Sequence, residues 1–274
     1  LDGTGQEWGK NVTNVVKAYE CAVKNDSQFC YYDPGIGTGG WDYEEESGIL
    51  KAKADQATGY GLQKNVEQAY EYLMATYEEG DRVFLFGFSR GAFAARALAG
   101  MLYRVGLLRK NYDNLVEYAS KTYMNLALKG ENGEIAEGFK RAFCRPCPVH
   151  FVGVFDTVES LALTAGRKFH SYELNPEVKF GYHAVAIDER RRDFTPCLWD
   201  ETKKPNGQTI EQCFFPGCHS DVGGWYDDAG LSNGALQWMM DKALRCGLEI
   251  NRRALMERVA NPDDAIHDSY VGFW

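Results

Sequence analysis

The sequence predicts an α/β fold, a mainly parallel sheet with helices on both faces and a helical or loop cap inserted over its edge. Two observations carry this. Short apolar runs bounded by turn residues alternate with longer stretches of helical period. One junction, "FLFGFSRGAFAA", passes directly from an apolar run into a helix through Gly-Phe-Ser-Arg-Gly. Strands separated by helices lie parallel in a shared sheet and need covering on both faces. At 274 residues with 45% hydrophobic residues, the chain can bury one large core, and residues 1–274 read as a single domain.

Taken in order, "LDGT" at residues 1–4 reads as the end of a strand, "NVTNVVKAYECAV" as an amphipathic helix and "QFCYYDPG" as a strand running into a turn. "NVEQAYEYLMATY" is helical in period, Gly80 and Asp81 stop it, and "RVFLFGF" is a buried strand ahead of an alanine-rich helix. "VHFVGVFDTV" is a second buried strand, "GYHAVAIDE" a helix and "IEQCFFPG" a further strand. "LSNGALQWMMDKALRCG" is a long amphipathic helix with a glycine stop. Residues 103–145 are helical in pattern without a clear strand, and residues 159–180 have little period. Both segments read as cap-like insertions near the carboxyl ends of the strands, where ligands sit in open α/β sheets.

A formal charge of -9 argues against a nucleic-acid partner, which calls for a basic surface to displace counterions from phosphates. A membrane surface stays open as a partner, although no apolar run reaches the roughly 20 residues of a spanning helix. The eight cysteines lie scattered in apolar settings. They read as buried thiols, with a local Cys144–Cys147 disulfide as the second reading. No zinc-type ligand spacing accompanies them, so no metal and no cofactor is expected. The chain reads as cytoplasmic ahead of secreted.

The Gly-x-Ser-x-Gly motif of Gly87, Ser89 and Gly91 is a moderate signal by itself. With 29 glycines and nine serines, chance supplies about 0.1 matches. Its context raises it. A nucleophile elbow is a tight strand-to-helix turn that lifts a serine above the sheet, and flanking glycines make room for the turn. Ala92, Ala94, Ala95, Ala97 and Ala99 let the following helix pack closely. The Arg90 amide then stands at a helix N-terminus, facing a developing oxyanion. The Arg90 side chain meets an anionic substrate or pairs with a carboxylate.

A serine needs a base. Of the five histidines, His219 leads because "FFPGCHSDVGG" sets it in a glycine-rich loop after an apolar strand. His183, in the helical "GYHAVAIDE", is the runner-up and reads as a packed helix residue. His150 starts a strand, the wrong end for chemistry, and His170 and His267 lie in loops without a supporting pattern. Asp156 ends a buried strand, where an unpaired carboxylate is costly and an imidazole to orient explains it. The plainer reading is an Asp capping its turn through the Thr157 and Val158 amides. Asp221 is the alternative acid, and Asp2 and Asp221 also stand as substrate contacts. Ser89, Asp156 and His219 follow the chain order of α/β-hydrolases. Two rival classes are kept: a metal-dependent hydrolase using Asp2, Asp156 and Asp221, and a catalytically silent binding module of the same fold. "DPGIGTGG" reads as a loop near the site. "DERRRDF" reads as a self-paired charged surface or, through Arg190, Arg191 or Arg192, as a receiver of a phosphate headgroup.

The blocks "LDGT", "TNVV", "YYDPGIGTGG", "GDRVFLFGFSRGAFAARALAG", "FVGVFDTV", "AVAIDERRRDF" and "FPGCHSDVGG", in this order, resemble the α/β-hydrolase catalytic domain of the type VI secretion phospholipase effectors, the Tle1-like group. The resemblance spans nearly the whole chain. It implies a serine carboxylic ester hydrolase of esterase, lipase or phospholipase A type with Ser89, Asp156 and His219 as its triad. It also places Gly3 and Thr4 near the nucleophile, where an amide completes the oxyanion hole. The long accessory region that the effectors use at membranes has no counterpart in these blocks, so a lipid ester and a small ester both stand as substrate.

Overall fold

The computed structural model describes residues 1–3, 6, 9–35, 59–129, 133–158 and 173–270. Its strands are β1 (Val83–Phe88), β2 (Leu107–Leu108), β3 (Cys144–Arg145), β4 (Val149–Phe155), β5 (Phe180–Ala186) and β6 (Thr209–Phe215). Strands β1, β4, β5 and β6 form a parallel sheet in the order β1-β4-β5-β6, while β2 and β3 pair antiparallel beside it. The α/β class expected from the sequence is therefore the architecture observed. Along the outer edge of β1, the Leu1 nitrogen donates to Phe86 O (3.1 Å) and Phe88 N donates to Leu1 O (3.4 Å). Asp2 N in turn donates to Asp33 O (3.0 Å). "LDGT" and "QFCYYDPG" thus continue the sheet by hydrogen bonding, although neither forms a regular strand over its described residues.

The helices are α1 (Asn14–Cys21), α2 (Gly59–Thr76), α3 (Ser89–Arg104), α4 (Val116–Lys129), α5 (Gly133–Phe143), α6 (His219–Gly223), α7 (Gly230–Arg245) and α8 (Arg252–Met256). Side chains alternate between the faces of a strand, and the core divides accordingly. Val83 and Leu85 of β1 and Val152 and Val154 of β4 face the helices α2 and α3. Phe88, Phe151, Phe155 and Tyr182 face α1 and α7, where Leu236, Met239 and Met240 are fully buried. Each such side chain contributes about 1.5–3 kcal/mol by leaving water. The helices of the cap-like segment 103–145 pack against α3. Lys140 on α5 donates to Tyr103 O (2.6 Å), and Tyr123 on α4 lies against Gly100. Both contacts are at the C-terminal half of α3, the end away from Ser89. Residues 159–172 of the second cap-like segment lie outside the described residues.

One element differs from expectation. The sequence predicts a helix over "GYHAVAIDE", and its first part is strand β5, paired with β4 on one side and β6 on the other. A short apolar run rich in alanine has no period that separates helix from central strand, and the parallel partners on both sides decide it. His183 is thereby a fully buried strand residue. Its Nε2 accepts the Thr157 amide (3.0 Å) and its Nδ1 lies 3.4 Å from Gln212 Oε1. The imidazole is therefore a neutral, structural acceptor, and burial pushes its pKa down from 6.5 to about 3.

The elbow is built by exclusion. A Cβ on Gly91 would overlap the backbone oxygens of Leu1 and Asp2, and one on Gly87 would overlap Gly91 and Ala92. The two glycines let the N-terminal segment and α3 close onto β1. We expect Gly91→Ala to destabilise the fold by about 1–3 kcal/mol through this overlap, read as a lower urea midpoint. A second expectation concerns His183. Its folded pKa is depressed, so its stabilisation is complete above pH 6.5 and is lost as pH falls toward about 3. Between pH 7.5 and 5.5 this residue should cost about 1.4 kcal/mol of stability. Urea unfolding at the two pH values should show a smaller difference for His183→Gln than for the wild type, and an equal difference contradicts the assignment.

Candidate active site

The parallel register sets two residues side by side. Phe88 ends β1 opposite Phe155, which ends β4, so Ser89 and Asp156 are the next residues on adjacent chains. Both leave their strands in the left-handed region, with φ of 57° at Ser89 and 38° at Asp156. For residues other than glycine such conformations cost of order 1–3 kcal/mol each and persist where the surroundings fix them. At Ser89 the surroundings are α3, which begins at the serine itself, and the N-terminal segment clamped over Gly91. Ser89 is buried, 7% exposed.

Asp156 is more deeply buried, at 1% exposed, and both carboxylate oxygens are used. Oδ1 accepts the Ala186 amide at the end of β5 (2.9 Å), and Oδ2 lies 2.6 Å from His219 Nδ1. The reading of Asp156 as a cap for its own turn does not describe this geometry, since the Thr157 amide goes to His183. A hydrogen bond at this distance calls for a proton on Nδ1, and Nε2 has no hydrogen-bond partner among the described residues. His219 starts α6 after β6, and Phe88 lies against it with ring centres 4.6 Å apart. The ring of Phe88 fits there because residue 223 is glycine, where any Cβ would overlap it. Among the described residues no hydrogen bond joins Ser89 to His219. They meet through Phe88, the neighbour of one and the packing partner of the other.

The remaining candidates divide. Arg90 occupies the first turn of α3, and burial lowers its guanidinium pKa to about 10. The Gly3 amide, expected at the oxyanion, donates to Asp2 Oδ1 (2.8 Å). Thr4 lies outside the described residues, as do His170 and most of "DPGIGTGG". Asp2 and Asp221, expected at the substrate, are internal braces instead, 1% and 3% exposed. Asp2 Oδ2 accepts from Thr13 Oγ1 (2.9 Å) and Tyr32 OH (2.8 Å). Asp221 accepts from the Cys218 amide (2.9 Å) and holds His267 Nδ1 at 2.6 Å. Each carboxylate of the Asp2, Asp156 and Asp221 set thus has its own partners. Among the described residues no group of three His, Cys, Asp or Glu forms a metal cluster. His267, passed over for want of a pattern, also meets Asp228 Oδ1 at 3.1 Å and stacks on Tyr226. His150 is tied to Cys246 O (2.9 Å) at the far end of the sheet. All eight cysteines are free thiols, and burial pushes Cys144 up to about 11 and Cys147 up to about 12.

Sequence reasoning missed Glu189. Its Oε2 accepts the His219 amide (3.2 Å) and its carboxylate grips Arg191 (2.9 and 3.0 Å). The signal was present in "DERRRDF", where the self-paired reading holds for Arg191. Arg190 and Arg192 are exposed.

Comparison with known proteins places the chain in a family. Residues 1–242 match the model of the type VI secretion phospholipase effector Tle1-like catalytic domain. An uncharacterized protein of Saccharomyces cerevisiae is 38% identical over 211 residues, 71% of this chain and 31% of its own length. A crystal structure of an uncharacterized protein from Pseudomonas aeruginosa aligns with 95% of this chain and 48% of its own, at 17% identity and a TM-score of 0.49. The chain thus spans about a third of the yeast protein and about half of the bacterial one. No described helix is long and apolar enough to cross a membrane. By its match over residues 1–242, the chain belongs to the Tle1-like catalytic-domain family, a family of lipase- and phospholipase-type hydrolases.

Proposed function

We propose that the protein is a serine hydrolase of carboxylic esters, with Ser89 as nucleophile, His219 as general base and Asp156 as the residue that orients His219. The observation that carries this is the buried Asp156–His219 contact of 2.6 Å at the strand ends, next to a serine held at a positive φ. Phospholipid and simpler esters are both candidate substrates, the first favoured by the family's description as phospholipase effectors.

In this mechanism His219 Nε2 takes the Ser89 proton as Oγ attacks the ester carbonyl carbon. The carbonyl π electrons move to oxygen, and the first-turn amides of α3, including that of Arg90, face the oxyanion. By helix geometry these amides have no intrahelical acceptor, and one such donor is worth about 10²–10³ in kcat. Collapse of the tetrahedral intermediate breaks the ester bond. The imidazolium gives its proton to the departing alkoxide, leaving an acyl group on Ser89. Water, deprotonated by His219, then attacks the acyl carbonyl, and the carboxylic acid and free serine are regenerated. Asp156 stays ionised and holds the tautomer in which Nε2 is the base.

Two expectations follow from these roles. Ser89→Ala should abolish hydrolysis across an ester panel running from short acyl chains to phospholipids, while keeping the wild-type melting profile. Turnover at the wild-type rate contradicts the proposal. Asp156→Asn keeps the shape of the site and loses the carboxylate that fixes the His219 tautomer, so kcat should fall by roughly 10⁴. A variant that folds and loses less than tenfold assigns Asp156 to structure alone.

A further inference from the structure

We infer that Glu189, Arg191 and Phe194 act together as a positioning clamp for His219, one arm on its backbone and the other on its ring. The inference rests on the hydrolase reading above and extends it to residues that touch no reacting atom. The three belong to one stretch after β5, "DERRRDF", and the chain folds it back on itself. Glu189 Oε1 accepts both the Arg191 amide (2.8 Å) and Arg191 Nε (3.0 Å), and Oε2 accepts Arg191 Nη2 (2.9 Å). The guanidinium plane then lies over the Phe194 ring, 3.6 Å from its centre. A planar, two-pronged cation is required at this position, since lysine offers neither the fork nor the flat face.

Both ends of this unit reach His219. Glu189 Oε2 accepts the His219 amide at 3.2 Å. The Phe194 ring meets the imidazole edge-on, with centres 4.9 Å apart and planes at 73°. Phe88 lies against the same imidazole at 4.6 Å, so two aromatic rings contact it while Asp156 holds Nδ1. Of the two His219 ring nitrogens, Nε2, the one the mechanism uses, has no hydrogen-bond partner among the described residues. Two further bonds fasten the stretch to its surroundings. Asp188 Oδ2 accepts the Gly217 amide (2.7 Å), two residues before His219, and Ser269 Oγ donates to Glu189 Oε1 (3.0 Å).

The electrostatics fit a clamp that leaves the base undisturbed. Burial works against ionisation of Glu189, but the Arg191, His219 and Ser269 donors hold its pKa down to about 2. Glu189 and Arg191 therefore sit beside His219 as a balanced pair, with side chains 4% and 15% exposed. Among the described residues, the other charged groups on elements around His219 are Asp156 after β4, Asp188, Arg190, Arg192 and Asp193 in the same stretch, Asp221 on α6 with its partner His267 and, through it, Asp228, and Arg90 on α3. Removing the charge of either member changes the net charge beside the imidazole by one unit, in opposite senses for the two residues.

That imbalance supplies a test that a merely structural role would not pass. Steady-state hydrolysis of a soluble ester is measured from pH 5 to 9 for the wild type, Glu189→Gln, Arg191→Gln, Arg191→Lys, Phe194→Leu, Phe194→Tyr and Ser89→Ala, with thermal melts to establish folding. Glu189→Gln leaves the Arg191 cation, which disfavours the imidazolium, so the acidic limb of kcat/KM should move to lower pH. Arg191→Gln leaves the Glu189 carboxylate, and the limb should move to higher pH. Each shift should be roughly half a pH unit or more. Arg191→Lys, which keeps the charge, should leave the limb in place and still lower kcat. Phe194→Leu should reduce kcat roughly 10- to 100-fold at unchanged KM, as expected for a misplaced base, and Phe194→Tyr should restore most of it. Limbs that stay put, or move in the same direction in both charge variants, overturn the clamp. If Glu189→Gln does not fold, the Arg191→Gln limb decides alone. Ser89→Ala separates the two proposals. Wild-type turnover in that variant overturns the hydrolase reading itself, whereas a silent Ser89→Ala beside unmoved limbs overturns only the clamp.

Discussion

A carboxylate taken out of water at the end of a strand is tolerable only where both oxygens find donors, and Asp156 meets this condition with two. Oδ1 takes the Ala186 amide and Oδ2 takes His219, 63 residues further along the chain. The first bond fixes the end of β5 against the end of β4. The second brings the start of α6 back over the sheet. Behind Asp156, the Thr157 amide rests on the neutral His183 ring, so a second histidine serves the same turn from inside the sheet. Satisfying one buried charge thus ties together β4, β5 and α6.

The serine side of the site depends on close approach. Gly87 and Gly91 let α3 and the N-terminal segment close onto β1, and Gly223 lets the Phe88 ring lie against the His219 imidazole. Asp2 anchors the segment from the other side through Thr13 and Tyr32. Thr13 also caps α1, where its hydroxyl accepts the Val16 amide (3.3 Å), and it bridges to Gly224 just after α6. The segment that crowds Ser89 and the helix that carries His219 are therefore fastened to one buried hub.

Much of this was legible in the sequence, for identifiable reasons. The elbow was readable because its glycines, apolar run and alanines fall within one short window. Asp156 and His219 could be singled out because a carboxylate after "VGVF" calls for a partner and a glycine-rich loop can carry a histidine across the sheet, and the structure brings the two side chains to 2.6 Å. What could not be read depends on distant partners. The strand character of "GYHAVA" comes from β4 and β6 on either side of it. The roles of Asp2 and Asp221 come from Tyr32 and His267, at 30 and 46 residues' separation. Glu189 looked like a surface acid because its sequence neighbours are arginines, and only the fold brings the His219 amide to it.

The proposed role of Ser89 as nucleophile can be read by chemical labelling. The folded protein is treated with a fluorophosphonate, and the adduct is counted by intact mass and mapped by peptide fragmentation. One adduct per chain is expected on the peptide containing Ser89, formed in the native protein and lost after denaturation in urea before treatment. An unmodified Ser89, or an adduct carried by another residue at equal rate in the unfolded chain, would contradict it.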